Sequence, residues 1–369
     1  MHSFFLSILE LIIGIVLLFG GGEFFVQGAV VLSRILGIPQ LVIGLTVVSL
    51  GTSAPELFVS LNSFLSGSDA LAISNVVGSN IFNVLVVLGS SAIVLPLKVE
   101  SRLIRRDVPL LIAVSAAVWG MASSGQVTWQ AGFALLIALV INTIWEVRTV
   151  KEESKSSPKN TQDITSNKSE NKWLNAGGRI IIGIVLLTIG SNFLVKSAIS
   201  IATLLGVSEA IIGVTIVSAG TSLPELITSL VASIKGRTDL AIGNVVGSSL
   251  LNQLLVLGSC AVLSGTQGIQ VEEILIQKDF PIMVISTLAC MPIFWTKGKI
   301  TRLEGAGLLG IYFLYLTDQV LPLTFPDLHN YFSILIISII LPLSIILITF
   351  KSIQYMISIR KITRINGPN

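Results

Sequence analysis

The fold is decided by an apolar stretch that carries polar residues at helical spacing. Residues 44–89 read GLTVVSLGTSAPELFVSLNSFLSGSDALAISNVVGSNIFNVLVVLG. A short polar turn at residues 66–69 divides this stretch into two segments of helical length. Polar residues recur mostly every three or four positions, which predicts two helices with one polar face each. These residues are Ser49, Thr52, Ser53 and Glu56 on the first helix, and Asn75, Ser79 and Asn83 on the second.

Pro55 interrupts the first of these helices. Because proline has no backbone N–H, the carbonyl of Gly51 loses its partner four residues along the helix. Irregular backbone at membrane depth is tolerated only where it is buried in protein or lines a polar cavity. The freed carbonyl, the hydroxyls of Thr52 and Ser53 and the carboxylate of Glu56 are hard oxygen ligands with one negative charge. Such a set favours a hard cation such as Ca2+ or Na+.

The stretch occurs a second time, without a gap, at residues 213–258: GVTIVSAGTSLPELITSLVASIKGRTDLAIGNVVGSSLLNQLLVLG. Each position is displaced by 169, so that Glu225 corresponds to Glu56 and Pro224 to Pro55. A duplication centred on two carboxylates indicates a shared site more strongly than either copy alone. The second copy adds as candidates the carbonyl of Gly220 and the side chains of Ser218, Thr221, Ser222, Ser248 and Asn252.

Composition places the chain in a membrane. Its 369 residues are 52% hydrophobic and 12% charged, with a mean hydropathy of +0.88, whereas about a quarter of residues are charged in soluble domains. We predict membrane spans of about 20 residues each. Eleven are predicted, at approximately residues 6–30, 40–64, 70–96, 108–124, 128–147, 178–200, 209–233, 239–264, 280–296, 304–322 and 330–350.

Basic residues are concentrated after the odd-numbered spans. Only Lys196 and Lys278 are left for the other side of the membrane. The positive-inside rule therefore predicts an outside N-terminus and a cytoplasmic C-terminus in the inner (cytoplasmic) membrane. The hydrophilic segment at 151–172 has the composition of a disordered connector. Glu10, Glu23, Glu146 and Asp318 are expected at the membrane interface rather than in an ion site.

Loop charges show that the two copies are inverted relative to one another. The basic loop SRLIRRD at 101–107 corresponds to the acidic VEEILIQKD at 271–279, and SGSD at 66–69 corresponds to the basic KGRT at 235–238. A repeat of five spans forces this inversion, which is typical of secondary transporters with a site near the membrane midplane. The predicted fold is an all-α polytopic membrane protein with two inverted five-helix repeats.

This fold gives a division of the chain into four parts. Residues 1–150 form the first half, 151–174 a cytoplasmic linker, and 175–322 the second half. Residues 323–369 form an eleventh span and a basic tail. Spans 1 and 6 also match, with small residues that permit close or sliding packing.

The chemistry expected of the site follows from its two carboxylates. In an empty site the charges of Glu56 and Glu225 would repel each other, and a divalent cation would neutralise both. Ca2+, which takes about six to eight oxygens, fits better than Mg2+, which demands a tighter octahedron. Na+ could use the same oxygens in smaller groups, and competition for shared ligands is the physical basis of exchange. The hydroxyls for Na+ are those of Ser49, Ser53 and Ser79 and of Ser218, Ser222 and Ser248.

Some of these polar residues have structural alternatives. Hydroxyls in membrane helices often bond to the preceding turn, which leaves Ser49, Thr52, Ser53 and their copies open to either interpretation. Asn75 and Asn244 are expected to pin neighbouring helices by hydrogen bonds.

The motifs GTSAPEL and GTSLPEL, each followed by NVVGS and then by Asn83 or Asn252, resemble the alpha-repeats of the sodium/calcium exchanger branch of the cation/calcium exchanger superfamily. The resemblance covers about residues 6–320. It implies that Glu56 and Glu225 bind Ca2+ with Thr52 and Thr221. It also implies that the flanking serines bind Na+, and that spans 1 and 6 slide across the other eight.

Two details of the motifs bear on ion preference. Asn252 stands where some prokaryotic members have Asp, so that this site has two carboxylates instead of three. GTS differs from the Asn-containing signature that is typical of the proton-coupled branch, which favours Na+ as the counter-ion.

The function predicted from the sequence is a Na+-driven antiporter that exports Ca2+. An H+/Ca2+ or other divalent cation antiporter of the same fold is the alternative, and a passive cation channel is disfavoured by the inverted pair of broken helices. His2 and His329 lie outside the helical core, which argues against an intramembrane enzyme. The expected partners are Ca2+, Na+ and the lipid bilayer, with no cofactor, nucleic acid or obligatory protein partner.

Overall fold

A computed structural model describes residues 2–156, 169–207, 218–295 and 298–325, together with residues 216, 328 and 332. In these ranges the chain folds into helices that correspond to the first ten predicted spans, joined by short turns and two-residue strands. The predicted eleventh span, except Phe332, and the basic tail lie outside the described residues.

The first repeat contains spans 1 to 5. Their helices are His2–Leu36 (span 1), Gln40–Ile43, Gly44–Val48, Ser49–Thr52 and Ala54–Leu65 (span 2), Asp69–Phe82, Asn83–Val87 and Leu88–Val94 (span 3), Leu103–Asp107 and Val108–Ala122 (span 4), and Trp129–Ser156 (span 5). The segments Gly44–Val48, Asn83–Val87 and Leu103–Asp107 are π-helical.

The second repeat contains spans 6 to 10. Their helices are Ser169–Leu204 (span 6), Ser218–Gly220 and Leu223–Ile234 (span 7), Thr238–Leu251, Asn252–Leu257 and Gly258–Leu263 (span 8), Leu275–Asp279 and Phe280–Trp295 (span 9), and Arg302–Thr324 (span 10). The segments Asn252–Leu257 and Leu275–Asp279 are π-helical, and a 3-10 turn covers Gly265–Gln267.

Length and hydropathy identify most of these spans independently. Among the described residues, six helices are long and apolar enough to cross a membrane, and the two halves of span 2, bent by 43°, form a seventh. The six are Leu6–Leu36, Asp69–Val94, Trp129–Thr149, Lys172–Leu204, Thr238–Leu263 and Arg302–Thr324. The prediction of an all-α polytopic membrane protein is confirmed.

The connector between the repeats is more regular at its ends than the sequence predicted. Span 5 continues as a helix to Ser156, and span 6 begins at Ser169. The prediction of an unstructured segment over 151–172 is therefore wrong for its two ends. Lys and Glu at residues 151–153 are good helix formers and extend a helix that is already nucleated in the membrane. Residues 157–168 lie outside the described part of the chain.

Four two-residue strands show how the repeats are oriented. Strand β1 (Leu97–Lys98), after span 3, pairs with β4 (Lys299–Ile300), before span 10. Strand β3 (Ile269–Gln270), after span 8, pairs with β2 (Gln126–Val127), before span 5. Because β1 and β2 lie at opposite ends of span 4, the equivalent loops that carry β1 and β3 lie on opposite faces of the membrane. The repeats are thus inverted, as their loop charges predict.

Equivalent ion pairs connect neighbouring spans in both repeats. Arg106 at the start of span 4 pairs with Glu146 of span 5, with Nη1 and Oε1 2.8 Å apart. Lys278 at the start of span 9 pairs in the same way with Asp318 of span 10, with Nζ and Oδ2 2.6 Å apart. One pair lies toward the β1–β4 face and the other toward the β2–β3 face.

Spans 1 and 6 lie against each other along rows of glycine. Gly14, Gly21 and Gly28 of span 1 are spaced by seven residues, as are Gly183 and Gly190 of span 6. A Cβ at Gly21 would meet the backbone N of Leu187 at 2.8 Å, and one at Gly190 would meet the N of Leu18 at 2.8 Å. The two helix backbones are therefore in direct contact, as small residues permit in membranes.

Candidate functional site

The two glutamates lie where spans 2 and 7 break. The helix of span 2 ends at Thr52 and that of span 7 ends at Gly220. Ser53 (φ −82°, ψ 4°) and Ser222 (φ −89°, ψ 7°), which precede the next helices, are not helical. A new helix begins one residue later, so that each proline lies in its first turn, where its missing N–H does not weaken the new helix. Glu56 and Glu225 lie in that same turn. The positive end of a helix dipole stabilises a carboxylate there.

Each glutamate is held by the serine of the other repeat. Ser222 Oγ donates to Glu56 Oε1 over 3.1 Å, and Ser53 Oγ donates to Glu225 Oε1 over 3.1 Å. Both carboxylates are fully buried and near enough for their charges to repel. The inverted repeats therefore bring the two predicted carboxylates into one site, with reciprocal contacts.

Asn75 and Asn244 support this arrangement from spans 3 and 8. Asn75 Nδ2 donates to the backbone carbonyl of Glu56 over 3.3 Å, and its Oδ1 accepts from Thr221 Oγ1 at 3.1 Å. Asn244 does the same for Glu225 at 3.3 Å and for Thr52 at 3.0 Å. These bonds pin helices, as expected, but they do so at the glutamates themselves. The sequence predicts only helix pinning for these two asparagines, although each shares a helix face with a candidate serine.

Several buried polar atoms of the site have no hydrogen-bond partner among the described residues. One oxygen of each glutamate, Oε2, is in this state, although buried polar groups are almost always paired. Asn83 and Asn252 begin the π-helical segments of spans 3 and 8, and π-helical turns frequently mark functional sites. The other unpaired atoms are Ser79 Oγ and both side-chain polar atoms of Asn83 and of Asn252.

The remaining candidates are mostly satisfied by neighbours. Ser49 Oγ donates to the carbonyl of Thr46 at 3.2 Å. Thr52 Oγ1 lies 3.3 Å from Ser248 Oγ, which adds a further contact between the repeats. The Gly220 carbonyl accepts a hydrogen bond from Ser191 Oγ of span 6 at 2.7 Å, a partner that the sequence did not predict.

Gly51 and Ser218 are the two remaining candidates. The Gly51 backbone lies against the ring of Phe25 in span 1, which a Cβ would approach to 2.8 Å. The side chain of Ser218 lies outside the described residues.

A cavity of about 850 Å3, which we call the vestibule, leads from the site toward one face of the membrane. Pro55, Asn75 and Thr221 line it at the site. Leu71 and Ile274 line its other end, beside the turn where the backbone N of Gln270 in β3 donates to Asp69 at 2.9 Å. The vestibule therefore extends toward the β2–β3 face.

Spans 2 and 8 close the way to the opposite face. A Cβ at Gly44 would meet the carbonyl O of Leu240 at 2.8 Å, and one at Gly247 would meet the carbonyl O of Leu45 at 2.6 Å. Gly78, which is equivalent to Gly247, lines the vestibule and has no described atom within 4 Å of an added Cβ. The close contacts of spans 2 and 8 therefore seal the site from the β1–β4 face, whereas Gly78 lies on the wall of the vestibule.

Comparison with known proteins identifies the family. The family model described as sodium/calcium exchanger protein matches residues 6–147 and 176–321, which are both repeats without the connector. The chain belongs to the sodium/calcium exchanger family. The resemblance seen in the GTSAPEL and GTSLPEL motifs is confirmed.

The exchanger has similar relatives in bacteria and archaea. It is 35% identical to the putative antiporter CaxA of Alkalimonas amylolytica, over 82% of this chain and 95% of that protein. It is 31% identical to the inner membrane protein YrbG of Escherichia coli, over 84% of this chain and 97% of that protein. It is 30% identical to the sodium/calcium exchanger MaX1 of Methanosarcina acetivorans, over 84% of this chain and 97% of that protein.

The exchanger also resembles a solved structure. It matches the sodium-calcium exchanger NCX_Mj, in a crystal soaked with Na+ and Ca2+, with a TM-score of 0.71 and 28% identity. The match covers 84% of this chain and 97% of that structure. The helical fold described above is therefore that of a known polytopic membrane exchanger.

Because the two serine contacts are equivalent, we expect Ser53→Ala and Ser222→Ala to weaken Ca2+ binding equally. A hydrogen bond to a charged group contributes about 1.5–3 kcal/mol, so each variant should lose roughly tenfold or more in apparent affinity. Concentration-dependent 45Ca2+ uptake in vesicles measures this. Ser90→Ala is the control, since Ser90 Oγ only donates to the backbone of its own helix, at 2.6 Å from the carbonyl of Val86. A large effect of one serine alone would contradict a site shared equally by the repeats.

Proposed function

We propose that this exchanger moves Ca2+ across the membrane in exchange for Na+. The observation that carries the proposal is the pair of buried carboxylates, each bonded by the other repeat's serine and each left with one unpaired oxygen. An intramembrane carboxylate is costly and is functional by default. The two negative charges of Glu56 and Glu225 match one divalent cation.

The ligands around this pair suit Ca2+. Its usual six to eight oxygens, at about 2.3–2.6 Å, are available from the two carboxylates, from the hydroxyls of Thr52 and Thr221 and from the carbonyls at the helix breaks. Mg2+ holds its water more tightly and demands a stricter octahedron. The fully buried donor set therefore favours the larger and more flexible coordination sphere of Ca2+.

Na+ would use the same oxygens in smaller groups. Ser53 and Ser222 each join one carboxylate, and unpaired atoms of Ser79, Asn83 and Asn252 lie on the adjacent helices. Ca2+ and Na+ would then exclude each other, because they share the glutamates. A carrier that reorients only when its carboxylates are neutralised would couple the two ion gradients.

The orientation of the exchanger follows from its charges. Loops on the β1–β4 face carry most of the basic residues, including Lys98 and Arg102, so we assign that face to the cytoplasm. The vestibule then opens to the outside, and the contact between spans 2 and 8 closes the cytoplasmic route. Sliding of spans 1 and 6 would exchange the open and closed sides.

The test is 45Ca2+ uptake into proteoliposomes loaded with Na+, against liposomes loaded with K+ or with choline. We expect uptake to require internal Na+ and to be abolished by a Na+ ionophore. Uptake driven only by an imposed pH gradient would assign the protein to H+/Ca2+ exchange instead. Ca2+ flux without any counter-ion gradient would contradict antiport.

A further inference from the structure

One carboxylate lies on the vestibule wall outside the site formed by the two glutamates. Asp279 is the last residue of the π-helical segment at the start of span 9. It lines the same cavity as Asn75 and Thr221 of the ion site. Only 7% of Asp279 is exposed. A cation that crosses the vestibule to reach the glutamates therefore passes a second buried carboxylate.

The hydrogen bonds of Asp279 leave one of its oxygens available. Tyr315 Oη and Gln319 Nε2, both from span 10, donate to Oδ1 at 2.9 Å each. Oδ2 receives no hydrogen bond from the residues described. Both donors are neutral, so they orient the carboxylate without cancelling its charge. The neighbouring Lys278 is engaged by Asp318, whose Oδ2 lies 2.6 Å from its Nζ.

The equivalent residue of the first repeat, Asp107, has different neighbours. Asp107 ends the π-helical segment of span 4, toward the β1–β4 face. Arg102 Nε lies 3.8 Å from one of its oxygens, and Arg106 Nε lies 3.7 Å from the other. Two cationic side chains therefore contact Asp107, whereas neutral donors contact Asp279. Both repeats have kept the carboxylate and a neighbouring cation, but in the described residues arginine side chains lie against the carboxylate only in the first repeat, because Lys278 pairs with Asp318.

We infer that Asp279 forms a capture site for hydrated cations on the wall of the vestibule, which concentrates Ca2+ and Na+ before they reach the two glutamates. The inference rests on the proposed function for the identity of the ions. Clefts lined by one sign of charge raise the local concentration of counter-ions. The ion at this site keeps most of its water, since a single carboxylate oxygen faces it, and the site is therefore weak and quickly released.

The size of the effect follows from Coulomb's law. In water, a unit charge about 6 Å away contributes about 0.7 kcal/mol for Na+ and twice that for Ca2+, or about threefold and tenfold in occupancy. Because the energy doubles with the ion's charge, the factor for Ca2+ should be close to the square of the factor for Na+. Screening at physiological salt, with a Debye length of about 8 Å, should reduce both.

The experiment compares Asp279→Asn with the wild type in membrane vesicles of both orientations. At low ionic strength, we expect the half-saturating Ca2+ concentration on the vestibule side to rise about tenfold and that of Na+ about threefold. Values measured from the opposite side and the maximal rate should stay unchanged. Asn keeps the oxygen that accepts from Tyr315 and Gln319, so the helix contacts are preserved. Asp279→Glu should restore most of the affinity.

Asp69→Asn is the matched control, since Asp69 is another carboxylate at the same membrane face but does not line the vestibule. It should leave both half-saturating concentrations unchanged. Equal effects from both sides, an effect on the maximal rate alone or an effect insensitive to salt would show a structural role and overturn the inference. If the wild type transports neither Ca2+ nor Na+, the proposed function itself fails, which is a separate result.

Discussion

Replacing Glu56 or Glu225 by glutamine is expected to abolish Ca2+ transport. Either change leaves one negative charge against a divalent ion in a fully buried site. Removing one partner of a buried charge pair costs about 3–5 kcal/mol, which corresponds to roughly two to four orders of magnitude in affinity. Uptake of 45Ca2+ should fall below one hundredth of the wild-type rate in both variants.

The same variants should affect Na+ less severely. One remaining carboxylate still neutralises one Na+, so Na+/Na+ exchange measured with 22Na+ should decline by a smaller factor than Ca2+ uptake. Glutamine has nearly the shape of glutamate and can still accept the serine hydrogen bond. The folded fraction, measured by gel filtration in detergent, should therefore be unchanged.

Glu273→Gln provides the control for this comparison. Glu273 is an exposed glutamate whose carboxylate accepts from Gln277 at 2.6 Å. This variant should transport Ca2+ like the wild type. If Glu56→Gln or Glu225→Gln kept more than a tenth of the Ca2+ transport, the carboxylate would not be a Ca2+ ligand.

Substituting a glycine between spans 1 and 6 is expected to have the second large effect. A valine at Gly21 places its Cβ 2.8 Å from the backbone N of Leu187 and 3.0 Å from the carbonyl of Gly183. Backbone atoms cannot move aside as a flexible side chain can, and overpacking costs about 1–3 kcal/mol. The ratio of folded to unfolded protein should fall roughly 5- to 160-fold, and Ca2+ transport should be lost.

The adjacent Gly20 offers a matched control. An added Cβ at this position meets no described atom within 4 Å. Gly20→Val therefore carries the same change in helix propensity without the clash, and it should keep both transport and the thermal unfolding temperature in detergent. Equal loss in both variants would show that valine disturbs span 1 by itself and that close contact with span 6 is not required.

The sequence predicted most of the fold because its strongest patterns are periodic and repeated. The gapless copy of GTSAPEL as GTSLPEL identified both glutamates and both helix breaks. The charge difference between residues 101–107 and 271–279 predicted the inversion. Apolar segments of membrane length gave the spans to within several residues, except where polar helices continue into the connector.

Other features depend on contacts between distant segments, which a single sequence does not display. The contact of Ser53 with Glu225 joins residues that are 172 positions apart. The sequence around Asn75 and Asn244 does not distinguish an asparagine that only holds neighbouring helices together from one that also bonds the backbone of a site glutamate. The π-helical segments add one residue per turn without a distinct composition. The strands β1 to β4 contain two residues each and are too short for an alternating pattern.

The two short ribbons, β1 with β4 and β2 with β3, have a consequence for how such a molecule could be built. Strands β1 and β2 of the first half pair with β4 and β3 of the second half. The serine–glutamate hydrogen bonds are reciprocal in the same way, because each half donates one to the other. Contacts in which i touches j while j touches i define an isologous interface, the kind formed by a symmetric homodimer. Each half thus presents to the other the surface that it would present to an upside-down copy of itself. A half-length ancestral protein that inserted in both orientations could have assembled this site as a dimer before two copies of its gene were joined.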